Sequence, residues 1–296
     1  MSDAIAAAFA GVTTVDAALG VASTVLREAG VPSPDVDAEL LLAHVTGVPR
    51  GVVRVRAVTS APVSEDEKEA LVAVIARRAS REPLQHITGV AWFRQLELHV
   101  GPGVFVPRPE TEGVAQLAVD ALRAAPTAAP VAVDLGTGSG ALALAMASEV
   151  PTATVVAVEL SPAAAVWTRR NISAVGVDNV RLVEADLTDA LPELDGTVSV
   201  VVSNPPYVPV GMVPRDPEVR LHDPDLALYG GGDGLDLVRA VSRTALRLLV
   251  PGGALVIEHG ERQGGAIRDL LSADGWRAPA THPDLTGRDR ATTAVR

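Results

Sequence analysis

Read for the spacing of apolar and polar positions, the chain changes character near residue 84. Before that point apolar residues recur every three or four positions, the period of an amphipathic helix. One helix is expected from about Thr14 to Ala29, stopping at Gly30, and a second after Ser33-Pro34, carrying Val36, Leu40, Leu41 and Val45 before Gly47. A third starts at Ser64, with Glu67 in a capping-box relation and Leu71, Val74 and Ile75 on one face. Three helices suffice for a small helical domain over 1–84. From 85 to 110 the alternation becomes partly two-residue, around Trp92-Phe93 and Leu96-Glu97-Leu98, which predicts a hairpin linker. A helix from Glu112 to Arg123 opens the remainder, 111–296, where short apolar strands alternate with helices. That is the pattern of an α/β domain with a mostly parallel, doubly wound sheet. Its last two strands are expected near Trp276 and over 291–295.

Chemistry enters at the strand Val198 to Ser203, which runs into Asn204-Pro205-Pro206-Tyr207. Two prolines after a strand can simply end it. An Asn before them and an aromatic after them, at the carboxyl end where open α/β sheets keep ligands, point instead to a site that methylates a planar nitrogen. The lone pair of an amide or exocyclic amino nitrogen is delocalised, so the nitrogen attacks poorly until its N–H groups are held. The Asn204 side-chain carbonyl and the Pro205 backbone carbonyl supply two acceptors, the Pro205-Pro206 step fixes the backbone, and Tyr207 offers a face for stacking.

The methyl donor has its own signal upstream. Val131 to Leu135 reads as a strand leading into Gly136-Thr137-Gly138-Ser139-Gly140 and then a helix from Ala141 to Glu149. The glycines also satisfy a loose dinucleotide fingerprint. Asp134, two residues before the first glycine, decides against it: a carboxylate repels a pyrophosphate but favours the ammonium end or sulfonium field of S-adenosylmethionine. Thr154 to Val158 ends at Glu159, about twenty residues beyond the loop, where an acidic side chain grips ribose hydroxyls. Val180 to Glu184 leads to Asp186 and Leu187, placed to meet the adenine amino group and ring. Each acid alone reads as a solvated loop residue; together, at successive strand ends followed by Asn204, they read as a cofactor site with Asn204 at its edge.

With these motifs in place the chain resembles the HemK/PrmC family, which methylates the glutamine side chain of peptide-chain release factors. The resemblance is carried by Pro83-Leu84-Gln85-His86-Ile87-Thr88-Gly89, Phe105-Val106-Pro107-Arg108-Pro109-Glu110-Thr111-Glu112, Asp134 to Gly140, Asn204 to Tyr207, Ala227-Leu228-Tyr229-Gly230-Gly231, Glu258-His259-Gly260 and Asp284 to Arg290. It implies a Rossmann-like class I S-adenosylmethionine-dependent methyltransferase domain with an antiparallel final strand, and a small N-terminal helical domain that helps grip the protein substrate. It also implies transfer of methyl to the N5 nitrogen of the glutamine in the Gly-Gly-Gln loop of class I release factors, held by Asn204 and Pro205. Two places depart from the family pattern: His222-Asp223-Pro224 stands where an aromatic, then Glu-Pro, is common, and Glu159 replaces a frequent Asp.

Composition narrows the alternatives. The 296 residues carry 25 basic against 36 acidic side chains, a net charge of −11, which repels a phosphate backbone and argues against a stable nucleic-acid partner. Arg77-Arg78, Arg81 and Arg169-Arg170 are the candidate basic patches. There is no cysteine, which fits a reducing, cytoplasmic setting. The alanine-rich start lacks a secretion signal's basic end, and no apolar run is long enough to span a bilayer, so no membrane role is expected. The six histidines are scattered without metal-ligand spacing, so no metal is expected. Gly230 to Gly234 lacks the Gly-Lys ending of a phosphate loop and is expected to be an inert, flexible turn. Two rival functions stand beside the main one: an adenine-N6 amino-methyltransferase acting on DNA or RNA, which would flip a base onto Tyr207, and a non-catalytic S-adenosylmethionine sensor.

Overall fold

Strand residues alternate between the two faces of a sheet, and both faces must be covered when helices flank it. The buried runs from Val131, Thr154 and Val198 meet that condition. The computed structural model describes residues 2–296. In chain order it contains helices α1 (Ser2–Ala8), α2 (Val15–Glu28), α3 (Pro34–Thr46), α4 (Arg50–Val58), α5 (Glu65–Ala79) and α6 (Leu84–Thr88), then strands β1 (Val90–Phe93) and β2 (Leu96–His99). There follow α7 (Thr111–Ala124), β3 (Val131–Leu135), α8 (Ala141–Glu149), β4 (Thr154–Glu159), α9 (Pro162–Val175), β5 (Val180–Glu184) and β6 (Val198–Ser203). The chain closes with α10 (Pro217–His222), α11 (Asp225–Leu228), α12 (Asp236–Leu248), β7 (Leu249–Glu258), α13 (Gly264–Ala273), β8 (Arg277–Pro283) and β9 (Asp289–Val295).

Two units emerge. One holds the chain up to Gly89 together with Arg215–His222; the other holds Val90–Pro214 and Asp223–Arg296. Among the described residues the helical unit has six helices before Gly89 rather than the three expected, because α1, α4 and α6 are short and their apolar positions too few to show a period. Its core gathers Phe9, Leu26, Leu41, Leu42, Val53, Leu71 and Ile75. The capping box forms as expected: the Glu67 N–H donates to Ser64 Oγ at 3.1 Å and the Ser64 N–H to Glu67 Oε2 at 2.9 Å. The returning helix α10 sets Glu218 between Arg78 (2.8 Å) and the Nε of Arg81 (2.9 Å), and Arg78 also donates to Asp37 at 2.7 Å. Arg77 pairs with Glu82 at 2.6 Å. The arginines that looked like a basic patch are thus neutralised by carboxylates, with Arg78 itself buried. Arg169 likewise pairs with Glu184, and Arg170 lies over the Trp167 ring.

In the larger unit β1 and β2 form the expected antiparallel hairpin. The other seven strands make one sheet in the order β5-β4-β3-β6-β7-β9-β8. The first five are mutually parallel; β9 runs antiparallel to both β7 and β8. Ala132, Val155, Ala157, Val200 and Val202 pack with α7 and α8 residues on one face. Their neighbours Val133, Val156, Val158 and Val201 pack with α12 and α13 residues on the other. Each such valine, wholly buried, contributes about 1.5–3 kcal/mol relative to exposure. Successive crossovers reverse direction between β3 and β6, which makes the carboxyl ends of those two strands the ligand crevice of such a sheet. Among the described residues no helix is long and apolar enough to cross a membrane, and no group of three or more potential metal ligands occurs.

Candidate active site

The glycine turn between β3 and α8 is built by left-handed backbone at Gly136, Gly138 and Gly140, with φ of +79°, +58° and +88°. Side chains at the first two would meet nothing within 4 Å, so the turn opens onto free space above the strand ends. Asp134 is wholly buried beneath it. Its Oδ2 accepts from the Thr137 hydroxyl (2.6 Å) and from the Ala143 N–H in the first turn of α8 (3.1 Å). Its Oδ1 is buried without a partner. Burial pushes this carboxyl up to about 7 against the two hydrogen bonds, and Glu159 adds to the rise. Asp134 therefore braces the turn through one oxygen, while the other is left without a protein partner.

Glu159, at the end of β4, accepts from the Gly138 N–H and from the Ser161 N–H, both at 2.8 Å. Each oxygen keeps a lone pair, so the same carboxylate that fixes the turn could also take ribose hydroxyls. Asp186 is exposed beyond β5 and accepts twice from Thr188, which lowers its pKa, while Leu187 is half-buried beside it. These placements, with the open glycine turn and the orphaned Asp134 oxygen, fit S-adenosylmethionine. Sequence reasoning missed Asn171 of α9. This buried side chain accepts from the His99 N–H (2.7 Å) and donates to the carbonyls of His99 (3.0 Å) and Ser139 (2.9 Å), tying the turn to the hairpin.

Asn204 to Tyr207 leave the end of β6, next to β3. The Ser203 hydroxyl donates to the Leu135 carbonyl at 2.6 Å, binding the two strand ends together. Pro205 is buried, and Asn204, Pro206 and Tyr207 are half-buried. Gln263 Nε2 donates to the Tyr207 carbonyl at 3.0 Å, and Gln263 Oε1 accepts from the Gly260 N–H at 2.9 Å. Burial raises the Tyr207 phenol well above its ordinary value, with Glu258 and Glu110 adding to the rise and Arg290 opposing it.

The run Gly230 to Gly234, expected to be inert, is not idle. It turns into α12 as expected, but a Cβ on Gly230 would overlap the Pro206 carbonyl oxygen and stand 2.8 Å from that of Gly234. Gly230 N–H donates to the Val208 carbonyl, and Val208 N–H to that of Leu228, both at 2.9 Å. The glycines let this segment lie directly on the Pro206-Tyr207 backbone.

The Phe105–Glu112 segment resolves into separate tasks. Arg108 lies over the Phe105 ring and donates to Asp223 Oδ2 at 2.8 Å, so the departing His222-Asp223-Pro224 still delivers a carboxylate to this arginine. Glu112 accepts from the Arg94 N–H in the hairpin turn at 2.9 Å. Buried Thr111 faces Glu258, and Glu110 bears on the same group. His259 is also buried, its Nε2 2.8 Å from the Thr292 hydroxyl.

Comparison with known proteins agrees with this architecture. Residues 17–89 match the PrmC N-terminal domain and residues 95–213 the methyltransferase small domain. The release factor glutamine methyltransferase of Streptomyces coelicolor is 54% identical over 271 residues, covering 91% of this chain and 93% of that protein. That of Bifidobacterium longum is 48% identical, covering 93% and 97%. A 4-amino-L-phenylalanine/4-methylamino-L-phenylalanine methyltransferase of Streptomyces pristinaespiralis is 46% identical over 226 residues, covering 75% and 76%. Among solved structures, the hMettl16 catalytic domain shares the fold at a TM-score of 0.54 and 13% identity, covering 68% of this chain and 74% of that one. An S-adenosylmethionine-dependent class I methyltransferase fold, a PrmC N-terminal domain and relatives this similar over nine-tenths of the chain make it a member of the release factor glutamine methyltransferase family.

Proposed function

We propose that this chain methylates the N5 nitrogen of the glutamine in the Gly-Gly-Gln loop of class I peptide-chain release factors, in the cytoplasm. The observation that carries the reading is Asn204 to Tyr207, held at the switch of the sheet beside the glycine turn. S-Adenosylmethionine supplies an electrophilic methyl group. Asn204 Oδ1 and the Pro205 carbonyl accept the two amide N–H groups, and Tyr207 lines the planar face. The nitrogen lone pair forms the new C–N bond as the S–C bond breaks; its bonding pair stays on sulfur, and the nitrogen then sheds one proton to water. The two acceptors offset the positive charge developing on nitrogen, so catalysis rests on positioning and preorganised dipoles. Asp134, Gly136 to Gly140, Glu159, Asp186, Leu187 and Asn204 hold the cofactor. No metal, membrane or stable nucleic-acid partner enters this reading, and the net charge of −11 suits a protein substrate better than a phosphate backbone.

The test is transfer of labelled methyl to a release factor, intact or with its Gly-Gly-Gln glutamine replaced by alanine, read by peptide mass spectrometry. Label on that glutamine alone is expected, and Asn204→Ala should reduce turnover severely while leaving cofactor affinity largely intact, because Asn204 meets the cofactor only at the edge of its site. The assay also offers 4-amino-L-phenylalanine and an adenine-containing oligonucleotide. Methyl on either of these, and none on the release factor, would replace the proposed substrate.

A further inference from the structure

Glu258 ends β7, beside β6. Ser203 pairs with Ile257, so Asn204 and Glu258 occupy neighbouring places one residue beyond that rung. Glu258 is 1% exposed, and its Oε2 is buried with no hydrogen-bond partner. A buried carboxyl without an ion partner at bonding distance costs several kcal/mol as an ion, so its presence beside the reacting centre needs a reason. Four side chains bear on it besides its neighbour His259: Asn204, next to it across the strand ends, Thr111, whose buried hydroxyl likewise has no hydrogen-bond partner, Arg290 of β9, and Glu110 at the start of α7; the Tyr207 phenol is also nearby.

An Asn amide has one accepting and one donating end, and only its partners decide which end points where. We infer that Glu258 is a positioning residue that accepts from Asn204 Nδ2 and so keeps Asn204 Oδ1 turned toward the substrate nitrogen. This rests on the glutamine-amide reading for its chemistry, but the contact itself does not depend on the substrate. A protonated Glu258 would donate to Oδ1 instead, diverting the acceptor that holds the substrate N–H. Burial pushes the carboxyl up to about 7, with Glu110 adding to the rise and Thr111, Arg290 and Asn204 opposing it. The useful orientation is therefore gained as pH climbs through that value.

Two measurements on Glu258→Gln test the inference. In wild type the Asn204 side-chain amide resonance, assigned by its loss in Asn204→Ala, should shift with a midpoint near 7, and in Glu258→Gln it should not. At saturating cofactor, which removes any contribution of Asp134 to cofactor affinity, wild-type kcat should rise through the same range. Glu258→Gln should lose that limb and at least tenfold in kcat, with cofactor Kd changed less than twofold. Placed on Asn204→Ala, the same substitution should cost nothing more. A wild-type amide that does not titrate, or a Glu258→Gln enzyme with wild-type kcat and pH profile, overturns the inference. If instead the amide titrates but release factor receives no methyl, it is the substrate assignment that fails.

Discussion

Replacing Asn171 by alanine removes three hydrogen bonds, to both backbone groups of His99 and to the Ser139 carbonyl, without touching any group proposed to meet substrate. At ~1 kcal/mol net per bond, plus ~1–3 kcal/mol for stranding a buried backbone group, the cost is about 5 kcal/mol. In a domain of this size each kcal/mol moves Tm by about 2–4 °C, so the variant should melt at least about 10 °C lower. Ser139 sits inside the glycine turn, so calorimetry at a temperature where both proteins are folded should also show weaker cofactor binding. Asn171→Asp should not rescue, because it keeps the acceptor for the His99 N–H but sets a negative charge against two carbonyls. A Tm within 2 °C of wild type, or undiminished cofactor affinity in a protein that does melt early, would refute the assignment of Asn171 as the tie between turn and hairpin.

Gly230→Ala should displace the Pro206 carbonyl and lower kcat at least tenfold with cofactor Kd unchanged. Gly232→Ala, whose Cβ meets nothing within 4 Å, should be silent; equal kcat in the two variants would contradict the packing argument. At Glu218 burial works against ionisation, but hydrogen bonds from Arg81 and Arg78 win and bring the carboxyl from its ordinary 4.5 down to about 2. Its ionic contribution is therefore full above about pH 5 and fades as pH falls toward 2. Glu218→Gln should cost about 2 kcal/mol at pH 7 after allowance for solvent screening, and the gap in denaturant midpoint from wild type should close in acid. A gap independent of pH would assign the loss to shape rather than charge.

What could be read along the chain was local. The Ser64–Glu67 capping box, the three left-handed glycines and the Val198 to Ser203 strand each announce themselves within a few residues, because caps, turns and alternation are short-range physics. What could not be read depends on partners far away in sequence. Asn171 looks like any polar residue of an amphipathic helix until the His99 and Ser139 backbones arrive beside it. Glu258 stands at the polar end of an apolar strand, in a motif that carries the resemblance but no stated role, and its meaning comes from β6 lying alongside. Arg78 and Arg81 form a basic cluster in sequence and a neutral one in space, since Glu218 returns from more than a hundred residues downstream. The glycines at 230 to 234 carried the right composition for a turn but no sign of the Pro206 backbone they lie against.

That return of the chain has a consequence for anyone building hybrids within the family. Because Arg215–His222 folds with the residues before Gly89 although it is encoded inside the catalytic portion, the helical unit is discontinuous in the gene. An exchange of helical units spliced at a single junction near residue 89 would unite one protein's Arg78 and Arg81 with another's counterpart of Glu218. Transplanting a matched set requires three junctions, the one near residue 89 and one at each end of a segment eight residues long, and recombination between relatives faces the same requirement.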